Sequence, residues 1–165
     1  MQEILVRRFM ESDADALGRV YFDAVRFGTT EFYDEAQRQA WAPAPPTGDS
    51  WRERLKSQYT FVAEQQGIVI GFMTLRADGL IDFAFVAPDH IGQGVAKKLY
   101  AGLIQHAQAI GLQCLHTEAS HLARRFFERQ GWRVLKEQIV KKRGVAMTNF
   151  LMEKNLIGEV NEDSA

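Results

Sequence analysis

The sequence has one cysteine, few prolines outside a single segment and no long apolar run. The lone Cys114 excludes an internal disulfide, and residues 1–9 lack the apolar run of a signal peptide. Charge or glycine interrupts every apolar stretch well before the roughly 18 residues that a membrane-spanning helix requires. These absences predict a cytoplasmic protein that has no membrane partner.

Neither sign of charge is in excess. Twenty Lys and Arg stand against twenty-one Asp and Glu, a formal net charge of -1, so no broad basic surface favours nucleic acid. A site for anions therefore has to be local. The 165 residues, 46% of them hydrophobic, suffice for one substantial core. We expect a single domain over residues 1–165, with a flexible tail after about residue 155. The oligomeric state stays open, a homodimer included.

Hydrophobic periodicity predicts strands and helices in alternation. Strands are expected near residues 4–9, in a hairpin at 61–64 and 68–75, and at 80–86, 112–117, 132–138 and 145–152. Helices are expected from residue 14, over 34–41, from residue 50, over 95–110 and after a cap at Ser120. The segment 43–49 holds three of the four prolines and is expected to be a loop within the domain.

One loop joins the predicted strand that ends at Val86 to the start of the long helix. It reads Ile91-Gly92-Gln93-Gly94-Val95-Ala96, followed by Lys97. Unpaired N–H groups and the helix dipole stabilise phosphate at such a helix start, and glycine allows its close approach. The alternative is an ordinary turn in which the glycines only relieve crowding. Gly94 lacks the following Lys-Ser/Thr of a P-loop, and no third glycine completes a dinucleotide fingerprint.

Two motifs in register carry a resemblance to a known family. Val86-x-Pro88 followed by Ile91–Ala96 resembles the signature R/Q-x-x-G-x-G/A after a V-x-P strand end. Downstream, Ala123–Trp132 resembles the block A-x-x-F-Y-x-x-x-G-F. By these motifs the sequence is identified as a member of the GNAT superfamily of acyl-CoA-dependent N-acetyltransferases, over roughly residues 4–154.

The resemblance implies an α/β (α+β) fold with a mixed, mostly antiparallel central sheet flanked by helices. That sheet would be splayed between the strand ending at Val86 and the next strand, with acetyl-CoA as cosubstrate in the splay and no metal. The Val86 N–H would donate to the thioester carbonyl as it becomes an oxyanion. The implied cofactor-binding residues are Phe85, Val86, Ile91, Gly92, Gln93, Gly94, Val95, Ala96, Lys97, Ser120 and Phe127.

The implied activity is direct transfer of acetyl to a primary amine of a small molecule or peptide, in a ternary complex. An alternative is a CoA-binding sensor or regulatory module with little catalytic activity, and a third is a partner-binding domain without CoA affinity. Phe127 stands where many members have the Tyr that protonates the leaving thiolate, and Ile91 replaces the usual Arg or Gln. A thiol with a pKa near 8.5 leaves tolerably without an acid.

Three side chains are candidates for the base that deprotonates the amine. Asp82 is the only carboxylate in an otherwise apolar predicted strand, and His116 and Glu118 share one face of the neighbouring strand. Structural or solvent-exposed roles are the alternatives for all three, and no third ligand suggests a metal. Tyr33 and Trp41, near the proline-rich loop, are candidate acceptor contacts, for which helix packing is an equal explanation.

Overall fold

The computed structural model describes residues 2–157, which contain five α-helices and seven strands. In chain order these are β1 (Leu5–Arg8), α1 (Ala14–Gly28), α2 (Glu35–Trp41), α3 (Asp49–Lys56), β2 (Tyr59–Gln65), β3 (Ile68–Leu75), β4 (Leu80–Val86), α4 (Val95–Ala109), β5 (Cys114–Ala119), α5 (His121–Arg129), β6 (Arg133–Lys142) and β7 (Val145–Asn155). Short 3-10 turns occupy Glu11–Asp13 and Pro88–His90.

The seven strands form one sheet in the order β1-β2-β3-β4-β5-β7-β6. Every neighbouring pair is antiparallel except β4 and β5, which are parallel. One core cluster packs α4 and α5 on the sheet through residues such as Leu99 and Phe127, and a second packs α1 and α3 through Leu17, Trp51 and Phe72. The mixed, mostly antiparallel sheet flanked by helices that the sequence predicts is therefore confirmed.

The parallel pair β4 and β5 separates soon after it forms. Only Leu80 and Ile81 pair with β5, opposite His116 and Thr117. At the last of these pairs the buried Thr117 hydroxyl donates to the Ile81 carbonyl at 2.8 Å. Beyond this point both strands continue without pairing to each other, so the sheet opens toward their carboxyl ends, where the sequence predicts a splay.

Local sequence signals fix the helix ends beside this opening. The Ser120 hydroxyl accepts a hydrogen bond from the Ala123 N–H at 3.1 Å and begins α5, as an N-cap serine does. Gly111 and Gly131 follow α4 and α5 with φ of 82° and 87°, the left-handed conformation that ends helices. Several boundaries differ from the prediction by a few residues: α3 begins at Asp49 with Gly48 as its N-cap, β5 spans Cys114–Ala119, and β6 and β7 extend to Lys142 and Asn155.

The end of the described chain is packed against the sheet. Leu156 is only 4% exposed, and its N–H donates to the Gln113 carbonyl at 2.9 Å. The remainder of the flexible tail that the sequence predicts, residues 158–165, lies outside the described residues.

Candidate active site

Two cavities meet where β4 and β5 separate. The loop cavity, of about 310 Å³, lies between the 3-10 turn, the start of α4 and α5; its lining includes Val86, Ile91, Gly92, Gly94, Val95, Ala96, Lys97, Ala123, Phe126 and Phe127. The hairpin cavity, of about 350 Å³, lies against the β6–β7 hairpin; its lining includes Tyr21, Tyr33, Trp41, Arg54, Asp82, Glu118, Val140, Lys142 and Met147. Phe85 and Ser120 border both cavities.

The two glycines of the loop cavity are required by backbone conformation. Gly92 and Gly94 have φ of 86° and 84°, which L side chains rarely adopt. A Cβ built on either residue would meet no atom within 4 Å. Backbone conformation, not crowding inside the chain, therefore requires glycine at both positions, and the space beside them is open.

The start of α4 presents unpaired donors to the same space. Lys98 makes the first helical hydrogen bond, from its N–H to the Gly94 carbonyl at 3.1 Å. The amides of Val95, Ala96 and Lys97 consequently have no intrahelical acceptor. The Gln93 side chain hydrogen-bonds within the loop, to the His90 ring at 3.0 Å and to the Asp89 carbonyl at 3.3 Å. This geometry suits an anion such as a pyrophosphate.

The outer end of β4 directs a main-chain donor into the opening. The N–H of Ala87 bonds the Ile70 carbonyl of β3 at 2.8 Å, and that of Phe83 bonds the Thr74 hydroxyl of the same strand at 3.0 Å. Amide directions alternate along a strand. The N–H of Val86 therefore points away from β3, toward the side from which β5 has separated, and Val86 lines the loop cavity.

Aromatic side chains close the inner wall of the loop cavity. Phe127 is 1% exposed, with its ring centre 4.7 Å from Trp132 and 5.4 Å from Phe126. The Trp132 indole N–H donates to the buried Tyr100 hydroxyl at 2.8 Å. Phe127 thus lies beside the cavity and within the core, and it offers the cavity no hydroxyl group. Ser120, which carries a hydroxyl group, lies at the junction of the two cavities.

The hairpin cavity has a wall of aromatic rings. The ring of Tyr21, on α1, meets Phe85 edge-on at 4.9 Å between centres, and Trp41, on α2, lies 6.3 Å from the same phenylalanine. Burial raises the pKa of the Tyr21 hydroxyl, and nearby Arg54 and Trp41 offset part of that rise. Tyr21 was not singled out from sequence because its position on α1 fits helix packing equally well.

Tyr33 bridges three parts of the site. Its hydroxyl donates to the Thr148 carbonyl of β7 at 2.7 Å and accepts from the His121 N–H, at the start of α5, at 3.1 Å. Burial raises the pKa of this hydroxyl as well. Tyr33 is 4% exposed and its ring meets Trp41 at 5.5 Å. Both predicted acceptor contacts therefore line one cavity, and Tyr33 also holds that cavity together.

The carboxylate of Asp82 is fully engaged within the protein. Arg54 donates to both of its oxygens, at 3.0 and 2.9 Å, and the Gln58 side chain donates at 2.7 Å. The Arg54 guanidinium also lies 4.5 Å above the centre of the Phe83 ring. The side chain of Asp82 is 17% exposed at the cavity wall. Its geometry is that of a structural ion pair bordering the cavity.

Glu118 and His116 share a face of β5 but have different surroundings. Glu118 follows the last residue of β5 that pairs with β4, is exposed, and lines the hairpin cavity. One of its oxygens accepts from the Gln138 side chain at 2.8 Å. His116 sits in the paired part of the strand, opposite Leu80, and lines neither cavity. Over residues 2–157, no cluster of His, Cys, Asp and Glu has the spacing of a metal site.

Comparison with known proteins assigns the family. Residues 29–156 match the family model described as an acetyltransferase (GNAT) domain. The chain belongs to the GNAT family of acetyltransferases. Among GNAT proteins it is 32% identical over 152 residues, 92% of this chain, to the uncharacterized N-acetyltransferase YafP of Escherichia coli, of which it covers 96%.

Solved GNAT structures share the fold. A GCN5-related N-acetyltransferase from Rhodopseudomonas palustris superposes with a TM-score of 0.88 at 30% identity, covering 94% of this chain and 98% of that one. YncA of Salmonella typhimurium, solved with acetyl-CoA, superposes with a TM-score of 0.71 at 21% identity, covering 93% of this chain and 94% of that one.

Among the described residues, no helix is both long and apolar enough to cross a membrane.

Proposed function

We propose that this GNAT protein transfers acetyl from acetyl-CoA directly to a primary amine, with both substrates bound at once. The observation that carries the proposal is the meeting of two cavities at Phe85 and Ser120, in the opening between β4 and β5. One cavity offers main-chain donors suited to phosphate, and the other offers an aromatic wall and a carboxylate. The structural neighbour YncA was solved with acetyl-CoA, which supports acetyl-CoA as the donor.

The loop cavity would hold the donor through main-chain groups. The open space beside Gly92 and Gly94 and the unpaired amides from Val95 to Lys97 fit a pyrophosphate. Because these contacts come from amides, Ile91 at the first motif position does not prevent binding. Phe85 and Val86 would border the pantetheine arm, and the Val86 N–H would stabilise negative charge on the thioester oxygen. Acetyl-CoA supplies an activated acyl group with a thiolate leaving group.

Glu118 is the proposed proton acceptor for the amine. It reaches the hairpin cavity with an exposed carboxylate to which, over residues 2–157, one amide donates, that of Gln138. Asp82 borders the same cavity, but three donors from two side chains occupy its oxygens. To accept a proton from the amine, Asp82 would have to give up one of these hydrogen bonds, whereas Glu118 has a second oxygen to which no donor in the described residues is directed. His116 lies outside both cavities and is the weakest of the three candidates.

The thiolate would leave without help from residue 127. Phe127 has no proton to donate, and an ordinary thiol pKa near 8.5 makes unassisted departure tolerable. The same feature favours the second candidate function, a CoA-binding module with little turnover.

Turnover separates the two functions. The test measures thiol released from acetyl-CoA while both substrate concentrations are varied across a panel of primary amines. Direct transfer predicts intersecting double-reciprocal lines, whereas parallel lines would indicate an acetylated enzyme. Tight acetyl-CoA binding with no release for any amine would support the CoA-binding module instead.

A further inference from the structure

Two of the four charged side chains that line the hairpin cavity have no ion-pair partner within the described residues. Arg54 and Asp82 neutralise each other, and the charged side chains left over in the lining are Glu118 and Lys142. We propose that the acceptor is a zwitterion, a primary amine joined through an apolar or aromatic spacer to an anionic group that Lys142 binds. This inference rests on the function proposed above and names the chemical class of its acceptor.

Lys142 is available for a ligand. It is half-buried near the end of β6, opposite Val145, and it lines the cavity. Within residues 2–157 its ammonium has neither a hydrogen-bond acceptor nor an ion-pair partner. Lys98 and Lys154 differ, since Lys98 donates to the Ile4 carbonyl and Lys154 to the Gln130 carbonyl. A lysine that lines a cavity and has no partner within the described residues can bind an anion from outside the chain.

Glu118 and Lys142 lie near opposite ends of one face of β6. Lys142 belongs to that face, and Glu118 of β5 reaches its other end at Gln138. Gln138, Val140 and Lys142 alternate on β6 and are less exposed than the residues between them. Gln138 holds the Glu118 carboxylate at 2.8 Å. Four residues of strand span about 13 Å, which the flexible lysine side chain can shorten. The amine and the anion of a fitting acceptor are therefore separated by several bonds.

Between these ends the cavity lining includes apolar side chains beside polar ones such as Asn149. Val140 and Met147 are paired across the β6–β7 ladder, and Tyr33 and Trp41 line the same cavity. These four side chains suit a hydrocarbon or aromatic body. Complementary charges at the two ends then fix the orientation of the acceptor, with its amine toward Glu118 and the splay.

Three matched amines test the inference: 4-(aminomethyl)benzoate, benzylamine and 4-(aminomethyl)benzylamine, which differ in the charge at the far end. We expect kcat/KM to fall in that order, with the benzoate favoured over benzylamine by about tenfold, the scale of one charge-assisted hydrogen bond. Lys142→Gln should abolish the preference, and Lys142→Glu should invert it. Lys141→Gln is the control. It removes the same charge, but Lys141 is exposed and lies outside the cavity lining.

Calorimetric binding of the same three amines to the protein saturated with CoA separates this inference from the proposed function. A Lys142-dependent preference for the benzoate without turnover would uphold the zwitterion site and defeat the transferase. Equal use or equal binding of all three amines, or a loss of preference in Lys141→Gln as large as in Lys142→Gln, would overturn the zwitterion site. Failure of all three amines to bind would overturn it as well.

Discussion

Two carboxylates border the hairpin cavity, and their surroundings predict opposite responses to neutral substitution. Glu118→Gln removes the proposed base and leaves an amide oxygen to accept from Gln138. We expect kcat/KM to fall on the order of 10²-fold, the usual scale for a positioned base. The free energy of unfolding should change by less than about 0.5 kcal/mol, because the side chain is exposed.

Asp82→Asn should show the reverse pattern. The amide keeps one acceptor oxygen but turns an N–H₂ group toward the Arg54 guanidinium or toward Gln58. Arg54 is 55% exposed, so water moderates the loss, and we expect a cost of about 1 kcal/mol in unfolding free energy. Turnover should stay within several-fold of wild type.

Urea unfolding and thiol release, measured on both variants, provide the assay. The reasoning fails if kcat/KM falls about 10²-fold in Asp82→Asn but stays close to the wild-type value in Glu118→Gln. That outcome would make Asp82 the base in spite of its ion pair. If both variants remain fully active, proton removal belongs to water or His116 rather than to either carboxylate.

Two further predictions concern Asp13 and Phe127. Hydrogen bonds from Arg7 are the main reason why the pKa of Asp13 lies below its ordinary value, against the effect of burial. The stabilisation is therefore present above about pH 4 and lost as pH falls, so Asp13→Asn should destabilise at neutral pH and much less in acid; an equal loss in urea unfolding at both pH values would contradict this. Phe127→Tyr should raise kcat, with Phe127→Leu as the control that adds no hydroxyl; equal kcat values in the two variants would place residue 127 away from the leaving sulfur.

The backbone geometry of the proposed donor side could be predicted from sequence because its determinants are local. The glycines with positive φ, the start of α4 and the Ser120 cap all lie within short segments whose backbone geometry follows from residue type. The motifs placed the splay between the strand that ends at Val86 and the next strand, and the pairing of β4 with β5 does stop at Ile81, within β4.

The proposed acceptor side depends on contacts between distant segments. Arg54 lies 28 positions from Asp82, and no sequence period connects the two. Lys142 and Tyr21 reach one cavity only because the β6–β7 hairpin and α1 pack beside the open end of the sheet. The shared face of His116 and Glu118 was predictable, but the end of strand pairing at Thr117, which separates their surroundings, was not.

Calorimetric titration of acetyl-CoA into wild type, Gly94→Trp and Gly67→Trp tests the central claim most directly. Gly67 has a φ of 78° and, like Gly94, open space around its Cβ direction, but it lies in the β2–β3 turn. The two variants thus carry a similar backbone strain. If the start of α4 binds the pyrophosphate, Gly94→Trp abolishes binding while Gly67→Trp binds as wild type does. Unchanged affinity in a folded Gly94→Trp protein would contradict the account.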